Sequence, residues 1–355
     1  MRRAASYFIT AERGRRMKNL CGGNGYIDMD YIINQGYPFT IITGARGTGK
    51  TYGAIKHLIN TGKKFIYMRR TKIQMDVITT PDMSPFAPVC ADMRIEFTIS
   101  KVSKETSGVY FDEGENAAGY IMALSGISNV RGFSGEDIEI VVYDEFIPES
   151  HERTLKNEGE ALFNAYETIN RNRELKGKKP LQLILLSNTN SIVNPVFQTL
   201  GLITTAYKMA DDGTQEFKDK ERGLYLINLQ NSPISAKKKE TALYKLLKDN
   251  RIVDMSIYNK YLEKPALQTK TANLKEFKPV VTVGEITIYR HKSERYYYIS
   301  PHGQGTRPIY GTSENDLLRF RTLYRHLLNF YINRAIFAEN PACEIVFCQY
   351  FGIVK

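Results

Sequence analysis

Four stretches of the chain are apolar at nearly every position, not at every second one: FTIIT (39–43), KFIYM (64–68), IEIVVYD (138–144) and LQLILLSN (181–188). They are short, rich in β-branched residues and bounded by Gly, Pro, Asn or charge, which predicts strands. A strand without a polar face has to be covered on both sides. The pattern therefore predicts a parallel sheet between helical layers, an α/β fold. Helical stretches lie between the runs, one directly after Lys50 and another over GEALFNAYETINRNREL (159–175).

The texture changes near residue 209. ADDGTQEFKDKERG (210–223) reads as a polar loop, and SAKKKETALYKLLKDN (235–250) as a basic helix. Further on, VVTVGEITIYR and RYYYIS read as a hairpin or two sheet strands joined by HKSE. SENDLLRFRTLYRHLLNFYINRAIF (313–337) reads as one long amphipathic helix, capped by Ser313 with Asp316 at its third position. ACEIVFCQY (342–350) is a candidate last strand. These readings place a larger α/β domain at 1–208, a helical linker at 209–263 and a small α/β domain at 264–355.

Composition adds charge to this picture. The 355 residues carry a net charge of +11 with ordinary apolar and charged fractions. Such a balance suits either a basic solvated surface or a polyanion partner. Cys21, Cys90, Cys343 and Cys348 form no CxxC pair, so they read as free thiols in a reducing compartment. No apolar run approaches the ~18 residues of a membrane span. The basic segment MRRAASYFITAERGRRMKNL lacks an apolar core and is read as a tail or packing arm, not a secretory signal.

Chemistry concentrates at the strand ends. Gly44 to Thr51, GARGTGKT, fits G-x-x-x-x-G-K-S/T between a predicted strand and a predicted helix. Glycines let backbone N–H groups curl around phosphates, and the helix N-terminus adds positive potential. Lys50 reaches the β- and γ-phosphates, and Thr51 holds Mg²⁺. The expected ATP cradle is Gly44, Ala45, Arg46, Gly47, Thr48, Gly49, Lys50, Thr51 and Tyr52. For Arg46 three surroundings stay open: the phosphates, a neighbouring subunit or solvent.

Asp144 ends an apolar strand and is the expected second Mg²⁺ residue, with Glu145 beside it to polarise an attacking water. That pair points to the additional-strand class of P-loop ATPase that contains RecA-like motors. LQLILLSN ends in Ser187 and Asn188, polar residues placed to sit by a γ-phosphate or to cap a turn. Transition-state cations are sought in Arg131 of NVRGFSG and in Arg171 and Arg173 of INRNREL, each of which also reads as a surface arginine. Arg69, Arg70 and Lys72 of MRRTK, just past a strand end, are candidate DNA contacts or a solvated basic turn. The peptide Leu124-Ser125-Gly126 is a poor match to the LSGGQ of ABC transporters, because Ile127 and Ser128 replace its second glycine and glutamine.

Taken together, GARGTGKTY, FIYMRR, VVYDEF, NRNRE and LSNTNSIVNPVF stand in the order and approximate spacing of the φ29-type phage DNA-packaging ATPases, which the chain resembles strongly over about residues 35–200. The resemblance implies a homopentameric ring that drives double-stranded DNA into a preformed capsid, docked on the portal vertex in the host cytoplasm, in some members through a structural RNA. It makes Lys50, Thr51 and Asp144 the nucleotide and metal residues, Glu145 the catalytic carboxylate and Arg171 a trans-acting finger. Arg131 becomes a second trans candidate, and Asn188 the polar residue of the coupling segment. It also implies a C-terminal domain like a degenerate ribonuclease H-type nuclease. Two-metal cleavage needs several converging carboxylates, and the expected strands offer only Glu285. Residues 264–355 carry 13 Lys and Arg against 7 Asp and Glu, a net of +6. A RecA-like helicase, a terminase with live nuclease and a nucleotide-gated scaffold are the rival readings.

Overall fold

The computed structural model describes residues 20–130, 135–149, 152, 155, 157–189, 191–229, 232–238, 240–247, 267 and 269–353. Arg131 and the segment 1–19 lie outside the described residues. The described chain divides into two compact units. The first takes residues within 1–148, 161–189 and 215–260, and the second those within 149–160, 190–214 and 261–355.

The first unit is built on a nine-stranded sheet. In chain order its strands are β1 (Phe39–Gly44), β2 (Phe65–Arg69), β3 (Phe97–Lys101), β4 (Thr106–Phe111), β5 (Gly119–Ala123), β6 (Ile140–Asp144), β7 (Gln182–Asn188), β8 (Glu216–Asp219) and β9 (Leu224–Leu229). Their order across the sheet is β3-β4-β5-β2-β6-β7-β1-β9-β8. The six strands from β5 to β9 run parallel, and β3, β4 and β8 are antiparallel edges. The all-apolar runs occupy its centre, and β2 and β6 are buried at every position. The sequence pattern requires this, since each fully buried Ile or Leu contributes about 1.5–3 kcal/mol. The helix α1 (Lys50–Thr61) covers one face, with Ala54, Ile55 and Leu58 in the same core cluster as Ile42, Ile140, Val142 and Ile184. At Gly119 a side chain is excluded, because a Cβ there would lie 2.4 Å from the Phe65 ring of the paired strand.

Two parts of this sheet differ from expectation. Residues 97–123 form the β3–β4–β5 edge, whose outermost strand β3 is largely exposed and has no unbroken apolar run. The segment 209–263, expected as a linker, contributes β9, which pairs along the whole of β1 from Phe39↔Leu224 to Gly44↔Leu229. The polar loop at 210–223 thus hides an edge strand, and LYLINL behind it is a fully buried strand between that edge and β1. The basic helix expected over 235–250 is instead two short helices, Pro233–Lys238 and Ala242–Leu246, with residues 248–250 outside the described set. Likewise the helix over 159–175 ends earlier: α2 (Glu158–Asn170) stops where Arg171 and Asn172 take positive φ of 45° and 56°.

The second unit carries a five-stranded mixed sheet of β10 (Phe277–Val283), β11 (Ile286–His291), β12 (Tyr297–Ser300), β13 (Ile309–Tyr310) and β14 (Ile336–Ala338). Its order is β13-β10-β11-β12-β14. VVTVGEITIYR is two strands, turning at Gly284 and Glu285, and RYYYIS supplies the third of an antiparallel meander. The long helix expected over 313–337 breaks into Glu314–Leu323 and His326–Ile332, followed by β14. Its start is as expected, with Ser313 accepting from the Asp316 N–H. ACEIVFCQY is a helix, not a strand: Asn340 accepts from the Cys343 N–H, Pro341 occupies the first turn, and the helix Pro341–Phe351 is buried almost all round. An apolar run has no period to separate a buried helix from a buried strand, and here the cap decides. Among the described residues no helix is long and apolar enough to cross a membrane.

Candidate functional site

The site gathers at the C-terminal ends of four parallel strands of the first unit. β1 ends at Gly44, in register with Asn188 of β7 and Leu229 of β9. A Cβ on Gly44 would lie 3.0 Å from Leu229 Cβ, a tight contact that favours glycine there. The chain then turns through Gly47 and Gly49, with φ of +67° and +88°, which side-chain-bearing residues rarely adopt. Gly49 is the N-cap of α1 and offers no side chain to the helix's first N–H groups. Those donors are left to face an anion.

Lys50 lies inside the loop, donating to the carbonyls of Gly44 and Ala45 at 2.9 Å each, to Asn188 Oδ1 at 3.3 Å and to Thr48 Oγ1 at 3.4 Å. Burial lowers its amine to about 7, a shift that the Asp144 carboxylate partly opposes. A buried ammonium held only by neutral oxygens gains charge stabilisation from any phosphate that enters.

Asp144 ends β6 and is 2% exposed. Its Oδ2 accepts from the Thr51 hydroxyl at 2.9 Å and from the Tyr67 hydroxyl, and lies 3.3 Å from Arg69 Nη2. Burial, then Asp144, raises the Tyr67 phenol well above its usual value, which keeps it a donor. Arg69 also pairs through Nη1 with Glu145 Oε2. Glu145 itself sits at φ +58° directly after the strand, an uncommon conformation for a residue with a side chain. Its backbone N–H donates to Asp144 Oδ1 at 3.1 Å. The turn is tied back to β7, where Ser187 Oγ accepts from the Ile147 N–H at 3.2 Å.

The loop therefore brings together the expected Gly44, Ala45, Gly47, Thr48, Gly49, Lys50, Thr51, Asp144, Glu145 and Asn188. Two groups of expected residues lie away from this chain's loop, and Arg46 stays on it. Tyr52 turns its hydroxyl to Asp92 at 2.8 Å. Arg46 is exposed at the tip of the loop. Arg171 and Arg173 lie at the far end of the sheet: Arg173 donates to the carbonyl of Ile138, and Asn170 accepts from the Leu181 N–H. Ile138 precedes Asp144 by six residues of largely extended chain, about 20 Å.

The basic trio shows the clearest departure. Arg69 and Arg70 are 8% and 1% exposed, and Lys72 is paired with Asp76 on its own helix. Buried guanidiniums do not meet a DNA backbone, and Arg69 belongs to the carboxylate pair. The sequence held a signal for this. Tyr67 and Arg69 are two apart on a strand, so they share a face, and the register Met68↔Tyr143 sets that face beside Asp144.

Thr51 and Asp144 form an adjacent pair of hard oxygen donors, which fits Mg²⁺ held by a hydroxyl, a carboxylate, water and substrate phosphates. A glycine cradle, an uncapped helix N-terminus and a buried cation converge here in an arrangement suited to phosphate oxygens, and the fold around them is of the P-loop α/β class. More particularly, residues 25–339 match the profile of the podovirus DNA encapsidation protein (Gp16), and the chain belongs to that family. Its fold is similar to the Phi-28 gp11 DNA packaging motor, with a TM-score of 0.58 and 17% identity over 94% of this chain and 99% of that one. It is equally similar to the motor of the bacteriophage Phi-29 genome packaging assembly, with a TM-score of 0.59 and 19% identity over 93% and 99%. No curated protein matches the chain.

Proposed function

We propose that this protein hydrolyses ATP to drive double-stranded DNA into a preformed viral capsid, working in the host cell as a ring of identical subunits docked at the portal. The observation that carries the reading is the Thr51–Asp144 hydrogen bond beside Lys50, in a chain of the DNA encapsidation family. β7 lies between the P-loop strand β1 and the Asp144 strand β6, the arrangement expected of an additional-strand, RecA-like ATPase.

In this reading Lys50 holds the β- and γ-phosphates, and Thr51 with Asp144 holds Mg²⁺, which supplies charge neutralisation there. Glu145 takes the proton of the attacking water. It is paired with Arg69 in the described arrangement, so it has to leave that guanidinium to face a water. Asn188 and Lys50 are bonded, and Ser187 holds the turn after Glu145, so loss of the γ-phosphate reaches β7 through both. Arg171 follows Asn170, which is bonded to Leu181 just before β7, away from its own loop, and serves a neighbour's site. A pentamer is the ring the resemblance implies. The C-terminal unit is read as a nuclease-like fold without cleavage function, because both oxygens of its hairpin carboxylate, Glu285, are engaged by a helix. Positive charge in that unit contributes a sequence-blind DNA contact.

The test is phosphate release with and without duplex DNA. Packaging predicts turnover stimulated by blunt duplex and weakened by salt, with no separation of a forked duplex and no nicking of supercoiled plasmid in Mg²⁺ or Mn²⁺. Strand separation would move the chain to the helicases, and nicking to the nucleases.

A further inference from the structure

A second lysine reaches the phosphate loop. Lys238 ends the short helix Pro233–Lys238, which follows β9. Its Nζ donates to the backbone carbonyl of Arg46, and a Cβ placed on Gly47 would collide with its Nζ and Cε. The amino group thus lies directly on the tip of the loop.

The helix that carries it is fixed. Ile234 is buried, Ser232 Oγ accepts from the Ser235 N–H, and Pro233 packs against Gly25 of the segment that precedes β1. That segment is itself bonded to the loop, with the Ile27 N–H donating to the Thr48 carbonyl at 3.0 Å. Lys238 is half-buried, and burial followed by the neighbouring Arg46 lowers its amine. Lys238, Arg46 and Lys50 thus set three basic side chains on one glycine loop, an arrangement that a polyanion can bind.

We propose that Lys238 is a phosphate ligand of the nucleotide site, binding the polyphosphate chain of a nucleoside triphosphate from the outer side of the loop. The inference rests on the reading of that loop as an ATP site and adds a residue from outside the motif. It also gives the segment after β9 a contact that depends on the bound nucleotide.

Binding of MgATP, MgADP and inorganic tripolyphosphate with Mg²⁺, measured by calorimetry on the full chain, tests it. Lys238→Ala should weaken MgATP and tripolyphosphate alike, by about 10- to 100-fold, the range of one charge-assisted hydrogen bond. Lys238→Arg should recover most of the loss, and Lys238→Glu should exceed it. MgADP should be affected less, having one phosphate fewer. Thermal unfolding without nucleotide should match the wild type, which excludes a folding defect. Wild-type affinity for tripolyphosphate in Lys238→Ala would overturn the proposal, and so would a loss confined to ATP with tripolyphosphate unaffected. Lys50→Ala separates the two levels: if it too binds normally, the reading of the loop itself fails; if it alone loses binding, only Lys238 is misassigned.

Discussion

Each of the two sheets sets an acid at or just past the C-terminal end of a strand, and the two acids have different surroundings. Asp144 closes β6 and faces a threonine hydroxyl, a tyrosine hydroxyl and a guanidinium. Glu285 follows β10 at the hairpin turn and faces a helix instead, accepting from the N–H groups of Ile203 and Thr204 at 3.0 and 2.9 Å and from the Thr204 hydroxyl at 2.9 Å. The helix it serves, Ile203–Asp212, has Leu202 as its N-cap and no cap of its own. Glu285 supplies that cap from a distant segment. A carboxylate bonded by helix N–H groups is structural. A carboxylate sharing one oxygen among two hydroxyls and a cation beside the glycine loop has, in the proposed reading, the surroundings of a metal holder. The surroundings, not the residue type or its strand-end position, separate the two.

Substitutions in the two regions should therefore diverge, and the largest divergence lies at the loop. Lys50→Ala is expected to bring ATP turnover below detection, at least about a thousandfold, with little change in thermal unfolding. Retained turnover would remove the distinction between the two sheets at its root. Glu145→Gln should keep MgATP binding and lose about 100- to 10,000-fold in single-turnover hydrolysis. If binding falls in step with hydrolysis, Glu145 is a positioning group and not the base. Arg171→Ala should be inactive alone but regain part of its hydrolysis when mixed with Glu145→Gln subunits, since each variant keeps one half of a shared site. Mixed assemblies with no rescue would return Arg171 to the surface. The smallest effect belongs to the second sheet. Glu285→Ala should cost about 1–2 kcal/mol in denaturant unfolding, the worth of a helix cap, and leave MgATP affinity at the wild-type value.

What could be read from the chain alone followed from local rules. An apolar run without alternation has to be a covered strand, and FTIIT, KFIYM, IEIVVYD and LQLILLSN are all central in the nine-stranded sheet. The glycine–lysine loop is equally local, because turn, cradle and helix start lie within eight residues. Ser313 and Asp316 announced their helix for the same reason.

Where local rules tie or fall silent, the tertiary structure decided. ACEIVFCQY has the same hydropathy for either element, and the core that surrounds it almost all round accepts it as the helix that the Asn340–Pro341 cap begins. LYLINL lies within the sheet because β1 had an open edge for it. Arg69 left the imagined surface because the register of β2 on β6 turned it onto Asp144 and Glu145. Lys238 reaches a loop nearly two hundred positions earlier only through the packing of Pro233 and Ile234. Hydrogen bonding within a turn is fixed by neighbours in sequence. Which charges meet across a sheet is fixed by register and packing, which no short stretch of sequence encodes.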